Sequence, residues 1–259
     1  MSRQSFPAPD AWRTAITAFD NERIVIRGRS VEELMGTGSF GDAAFLLLNG
    51  RSPSRAESIV WNAVLIASCD HGPTSPSAFA ARVIASGNRR APEAAVGGGI
   101  LAIGDAHGGA GEDAMAYLKQ GLGRMRGGVA REDAAHEIVL RYREEGRRLP
   151  GLGHRFHAVD PRTERLWALS NEHGLAGDGI GLMRAVETAA RDIIGRSLPV
   201  NVDGAIAAAL VDLGLEPPIA RMAFILGRTA GIAAHVLEEL AREQPMRLRF
   251  GFTYDGPSS

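Results

Sequence analysis

From residue 30 to residue 242 the sequence carries helix start and stop signals at short intervals, and this repetition leaves room for little except packed helices. Ser30-Val-Glu-Glu33 and Ser54-Arg-Ala-Glu57 each fit a capping box, in which a hydroxyl and a carboxylate satisfy orphan amides at a helix start. "GDAAFLLLNG" closes on Gly50, a C′ glycine. Asp160-Pro161 forms an N-cap and N1 pair, and Pro217-Pro218 opens the last long helix. The spacing of apolar residues predicts helices over 54–69, 77–87, 93–104, 110–125, 131–145, 161–173, 180–196, 203–213 and 217–242. The loops between them are mostly short enough for antiparallel neighbours, which argues an all-α domain. The single sheet signal is "RTAITAFDNERIVIRG", where apolar and polar residues alternate on both sides of Asp20-Asn21 as in a short β-hairpin.

A chain of 259 residues forms one large domain or two small lobes and needs no disulfide or metal staple to bury a core. With 29 Lys+Arg against 30 Asp+Glu the net charge is −1, so no global field favours nucleic acid or a membrane surface. An anionic ligand must then be held by a local cluster, and that cluster would be arginine, because Lys119 is the only lysine. Arginine's planar fork suits carboxylates and phosphates, although a GC-rich genome would produce the same bias. Cys69, alone in the apolar run "AVLIASC", excludes a disulfide framework and a cysteine-rich metal site. "MSRQSFPAPDAW" lacks the apolar core of a signal peptide, and no apolar run reaches about 18 residues, so the expectation is a cytoplasmic protein.

The chemistry is narrowed by what the motifs omit. There is no HExxH, no histidine pair at i and i+4, no GxSxG, no GxGxxG after a strand and no GxxxxGK[ST], so metal, serine-nucleophile, Rossmann and P-loop readings all fail. What remains is a set of histidines beside glycines (His71, His107, His154 and His173), the acid Asp203 in "VNVDGAIAAAL", and arginines. Such a set suits acid/base work on an anionic carbon acid; the alternative for Asp203 is a charge favoured by the dipole at a helix start. Arg228 interrupts the apolar helix "ILGRTAGIAAHV", where an unpaired guanidinium is costly, so it requires an anion from protein or ligand. His235, on the same helix, reads as a satisfied core histidine, and His136, His157 and His173 as background.

Several stretches together resemble one family in order. "IVIRGRSVEELMGTGSFGDAAFLLLNGRSP" is similar to the N-terminal hairpin and helix pair of citrate synthases, "GDAHGGAGEDAM" to their HGGANE-type loop, and "PGLGHRFHAVDPR" to their GxGHR…DPR loop. "VNVDG" resembles their NVD motif and "ILGRTAGIAAHVLEEL" their SRxxGWxAHxxEQ helix. Only a single helix fits between "LLLNGRSP" and "DHGPTSPSAFAARVIASG", and "DHGP" stands where the synthases have DHE; both features resemble the short citryl-CoA lyase group, comprising the bacterial lyases and the citrate-synthase-like module of ATP-citrate lyase.

The resemblance implies one citrate-synthase-like domain, a multi-helical fold with a large lobe (about 1–107 and 215–259) and a small lobe (about 108–214) around the active site, assembled as a homodimer or tetramer. It implies cleavage of citryl-CoA to acetyl-CoA and oxaloacetate, with a synthase-like enzyme for another acyl-CoA and 2-oxo acid, or a non-catalytic citrate- or CoA-binding subunit, as alternatives. By the same resemblance His107 stabilises the enolate oxygen, His154 handles the substrate hydroxyl and Asp203 moves the proton at carbon. His71, Arg162, Arg228 and Arg249 take the carboxylates, with Arg247 a rival to Arg249. Gly151, Leu152 and Gly153 with Arg155 contact coenzyme A, which enters as substrate or product; no tightly bound cofactor and no metal are implied.

Overall fold

The structure, a computed structural model, describes residues 13–153, 160–248 and 251–257. The chain divides into two units, Met1–Asn62 and Ala63–Ser259.

The first unit opens on an antiparallel sheet of three strands: β1 (Thr17–Phe19), β2 (Ile24–Ile26) and β3 (Arg29–Ser30), in the order β1-β2-β3. Thr17 faces Ile26 and Phe19 faces Ile24, and the Asp20 carboxylate closes the turn by accepting from the amides of Glu22 and Arg23, each at 2.9 Å. The hairpin is where the alternation puts it. The third strand is additional: Arg27 (φ 48°) and Gly28 (φ 82°) turn the chain back, and two residues are too few to show a period.

Helices α1 (Val31–Thr37) and α2 (Phe40–Asn49) follow. Ser30 caps α1 by accepting from the Glu33 amide, but the reciprocal half of the expected box is missing, because the Glu33 carboxylate pairs with the Arg29 guanidinium instead. A complete box forms at Ser39 and Asp42, where the sequence reading placed none: aspartate at N3 does the work of the usual glutamate. Gly50 ends α2 in the left-handed region at φ 74°, as its position predicts. The start of α3 (Arg55–Ser68) carries the full Ser54/Glu57 box.

In the second unit α4 (Pro76–Gly87), α5 (Pro92–Leu101) and α11 (Pro218–Arg242) pack on one another around Ala81, Ala85, Ala95, Ile232 and Val236. The rest of the helical framework is α6 (Ala110–Arg126), α7 (Arg131–Glu144), α8 (Pro161–Glu172), α9 (Asp178–Ile194) and α10 (Val202–Asp212). Helix α10 packs against α6, α8, α9 and α11 and is buried without a break from Gly204 to Val211. A helix apolar on all sides belongs inside, and this one runs through the interior with its N-terminal end opening on a cavity. Glycines permit the closest approaches. A Cβ at Gly227 or Gly231 would collide with the carbonyl oxygens of Leu65 and Cys69, so α11 rests directly on that backbone. Among the described residues no helix is long and apolar enough to cross a membrane.

Candidate active site

A cavity of about 380 Å³ lies within the second unit, where the N-terminal ends of α4, α6, α8 and α10 meet the middle of α11. His71, His107, Arg162, Asp203 and Arg228, five residues from four separate stretches of sequence and one helix interior, line it together with Phe224.

His107 sits in a tight loop closed by reciprocal backbone hydrogen bonds between Gly104 and His107, at 2.9 and 3.0 Å. Gly108 follows at φ +82°, and a Cβ there would lie 2.5 Å from a Phe224 ring carbon, so glycine is required on two counts. The imidazole stands edge-on to Phe224 (5.7 Å between centroids), and its Nε2 is 2.9 Å from the Ser77 hydroxyl. Burial, reinforced by the positive charge of Arg228, drives its pKa down to about 4. At neutral pH the ring is therefore uncharged.

Asp203 is the second residue of α10. The capping task belongs to Asn201, whose side-chain oxygen accepts from the amides of Asp203 (3.0 Å) and Gly204 (3.2 Å). The aspartate carboxylate is thereby left to the cavity. Burial pushes its pKa above the ordinary carboxylate range, Arg162 and Arg228 pull it back, and Asp160 adds to the rise. The outcome is a carboxyl held more basic than usual between two guanidinium groups.

The two arginines differ. Arg162, on the first turn of α8, forms a fork with the carboxylate of its own N-cap, Asp160, at 3.0 and 2.7 Å. Arg228 is 2 % exposed and, among the described residues, pairs with no carboxylate. It donates to the Ser68 carbonyl (2.8 Å) and the Ser77 hydroxyl (3.5 Å), and it lies 4.9 Å from the Phe224 ring centre. Burial lowers its pKa, with Asp70 the foremost opposing charge. A guanidinium so buried is costly unless an anion lies near it.

The glycine loop lies against the start of α10. Gly151 is buried: at φ +81° its Cβ position lies 2.7 Å from the Gly204 Cα, so it faces α10. Leu152 bridges to Val200, and Asn201 holds the loop from both sides, its amide donating to the Gly151 carbonyl (3.0 Å) and its side chain to that of Gly153 (2.9 Å). Of the three, only Gly153 lines the cavity. His154, Arg155, His157 and Arg249 lie outside the described residues. Arg247 forks onto the buried Glu239 (2.9 and 2.5 Å) and pairs with Glu243, so it is engaged within its own segment. His235 is satisfied between Asp70 and Arg82.

Three contributors escaped the reading of the residues. Asn201 caps α10, and asparagine just before an apolar helical run is an N-cap signal that the reading passed over in favour of Asp203. Phe224 stands one turn before Arg228, a spacing that would have found it. Ser77, two residues into α4, had no signal of its own.

Comparison with known proteins adds the family. Residues 58–249 match the family described as "Citrate synthase, C-terminal domain". The structure is similar to that of citryl-CoA lyase from Hydrogenobacter thermophilus, with a TM-score of 0.86 and 36% identity over 96% of this chain and 97% of the other. Among curated proteins it is 28% identical over 222 residues to ATP-citrate synthase beta chain protein 1 of Oryza sativa subsp. japonica, and 28% identical over 215 residues to citrate synthase 2 of Bacillus subtilis (strain 168), matching 80% of this chain in each case. The matches span 35% and 54% of the lengths of those two relatives. A helical framework that brings the histidine of the HGG loop, the aspartate of the NVD motif and the arginine of the long last helix to one cavity agrees with the matched sequence: the chain is a member of the citrate synthase family.

Proposed function

We propose that the chain cleaves citryl-CoA to oxaloacetate and acetyl-CoA. The observation that carries this reading is the convergence on one cavity of an uncharged His107, a carboxyl of raised pKa at Asp203 and a buried Arg228 that pairs with no carboxylate among the described residues. The likeness to a citryl-CoA lyase along nearly the whole of both chains supports it.

In this reading Arg228 takes a substrate carboxylate, with His71 and Arg162 beside it. The tertiary hydroxyl of citryl-CoA loses its proton to His154 as the carbon–carbon bond breaks. The hydroxyl oxygen becomes the ketone of oxaloacetate, and the bond's electron pair passes to the thioester as an enolate. His107, neutral, donates a hydrogen bond to the enolate oxygen, which stabilises developing charge without surrendering a full proton. Asp203, protonated, delivers its proton to the methylene carbon and completes acetyl-CoA. A raised carboxyl pKa favours the protonated form that this last step consumes.

Coenzyme A enters as substrate rather than as a resident cofactor, with Gly153 and Arg155 as its contacts. The large lobe (about 1–107 and 215–259) and the small lobe (about 108–214) close on it, in a cytoplasmic homodimer that gains Arg249 from the partner. The test is incubation of the purified chain with citryl-CoA, with oxaloacetate followed by coupled reduction. Oxaloacetate release that disappears in Asp203→Asn supports the proposal; no release, while another 3-hydroxyacyl-CoA is cleaved, overturns it.

A further inference from the structure

Asp70, the residue before His71, is the carboxylate whose charge most favours the Arg228 guanidinium, yet it makes no salt bridge with it among the described residues. Its carboxylate is otherwise occupied. Oδ2 accepts from the Gly72 amide at 3.0 Å, the His71 amide also donates to the group, and Oδ1 lies 3.0 Å from Nε2 of His235. The other ring nitrogen of His235, Nδ1, faces Nη1 of Arg82 at 3.2 Å.

A guanidinium has hydrogens to give and no lone pair to offer. Nδ1 of His235 must therefore be the acceptor, and the ring hydrogen is assigned to Nε2, where it donates to Asp70. Arg82 is itself fixed: Glu238 accepts from Nη1 at 2.8 Å, and the fully buried Glu239 pairs with Nε at 2.9 Å. The histidine is pinned between a cation that cannot turn and a carboxylate that it holds. Backbone packing keeps the same stretch close to Arg228, since Ser68 accepts from Arg228 and a Cβ at Gly231 would lie 3.1 Å from the Asp70 Cβ.

From this geometry we infer that His235 is a positioning residue that holds Asp70 on the His71 loop and away from Arg228, so that the guanidinium is left for a carboxylate of the ligand. The inference rests on the proposed function for the identity of that ligand. Without the Nε2–H donor, Asp70 is released toward the Arg228 guanidinium, whose charge it already favours, and becomes an internal competitor for the ligand carboxylate. The hydrogen bond from the His71 amide to Asp70 is lost in the same event.

The measurement is a steady-state and binding comparison of the parent, His235→Leu, His235→Gln and the double variant His235→Leu/Asp70→Asn, with citryl-CoA for turnover and citrate for calorimetric binding. His235→Leu should raise KM and the citrate Kd about tenfold, the scale of one hydrogen bond to a charged group, with kcat within about twofold. His235→Gln keeps a donor and should stay near the parent. In the double variant asparagine retains an oxygen for the loop amides but lacks the competing charge, so KM and Kd should return most of the way. A purely structural histidine would give no such rescue. An unchanged Kd in His235→Leu, or a raised Kd that Asp70→Asn leaves raised, overturns the inference. If the parent cleaves no citryl-CoA, the functional reading fails separately, and a dicarboxylate or tricarboxylate series in the same calorimetric comparison still decides the role of His235. Imidazole ¹⁵N spectra check it independently of any ligand: a parent His235 protonated at Nδ1 rather than Nε2 would refute it.

Discussion

Replacing Gly204 with alanine tests how the glycine loop is held against α10. Alanine in a helix is favoured over glycine by about 1 kcal/mol, so on propensity alone the substitution stabilises. The packing opposes it. The new Cβ would fall on the Gly151 carbonyl oxygen, with the Gly151 Cα and carbonyl carbon at 3.0 Å, and all of these are backbone atoms with no side-chain freedom to yield. Forcing one carbon into a filled interior costs about 1–3 kcal/mol. Displacing the loop also weakens the hydrogen bonds from Asn201 to Gly151 and Gly153, at about 1 kcal/mol each. The balance is a loss of about 2–4 kcal/mol, or a Tm lower by roughly 5–15 °C for a chain of this size. Gly97→Ala provides the control: it lies inside α5 with nothing within 4 Å of the added carbon, and it should stabilise by about 0.5–1 kcal/mol. Urea and thermal unfolding of the two variants measure the contrast. Equal stability of Gly204→Ala and Gly97→Ala would refute the claim that backbone contact between the loop and α10 sets the position of the cavity wall.

Other outcomes follow from the site. Asp203→Asn should lower kcat by about 10²–10⁴ while citrate still binds, since proton transfer and not affinity is removed; loss of binding with the same kcat would place the residue elsewhere. Arg228→Met should leave stability unchanged or higher, because it removes a buried cation that pairs with no carboxylate among the described residues, yet should weaken citrate binding by calorimetry. A large fall in Tm would show that the guanidinium is compensated within the protein. For His107 the folded pKa lies near 4 against an ordinary 6.5, so the unfolded chain binds more protons between those values. Its contribution is present above about 6.5 and is lost as pH falls toward 4; urea midpoints across that window should fall less steeply in His107→Gln than in the parent.

The helices were legible because their boundaries are chemical: each range read from caps and spacing lies within a few residues of the observed helix, as at 110–125 against Ala110–Arg126. β3 was not, since two residues carry no alternation. The candidate site was legible in part. Arg228 stood out as a charge in an apolar helix, and it is buried and pairs with no described carboxylate. Ser77 did not, because a serine early in a helix is common and only the fold brings it to the imidazole of His107 and the guanidinium of Arg228. The orientation of Gly151 toward Gly204 is likewise a property of two distant segments meeting, which spacing along either one does not encode.

That α10 begins on an amide rather than an acid governs how many protons its mouth can store. An aspartate in place of Asn201 would cap as well, but it would stand two positions from Asp203, and two interacting carboxylates release their protons in steps that belong to the pair. With asparagine there, and with Asp160 forked onto Arg162 outside the lining, Asp203 is left as the one carboxyl among the described residues lining the cavity. Its titration is set by burial and the charge of Asp160 on one side and by two guanidinium charges on the other, so loss of Arg228 should read out as a rise in the Asp203 pKa, and loss of Arg162 as a larger one, because it also frees Asp160.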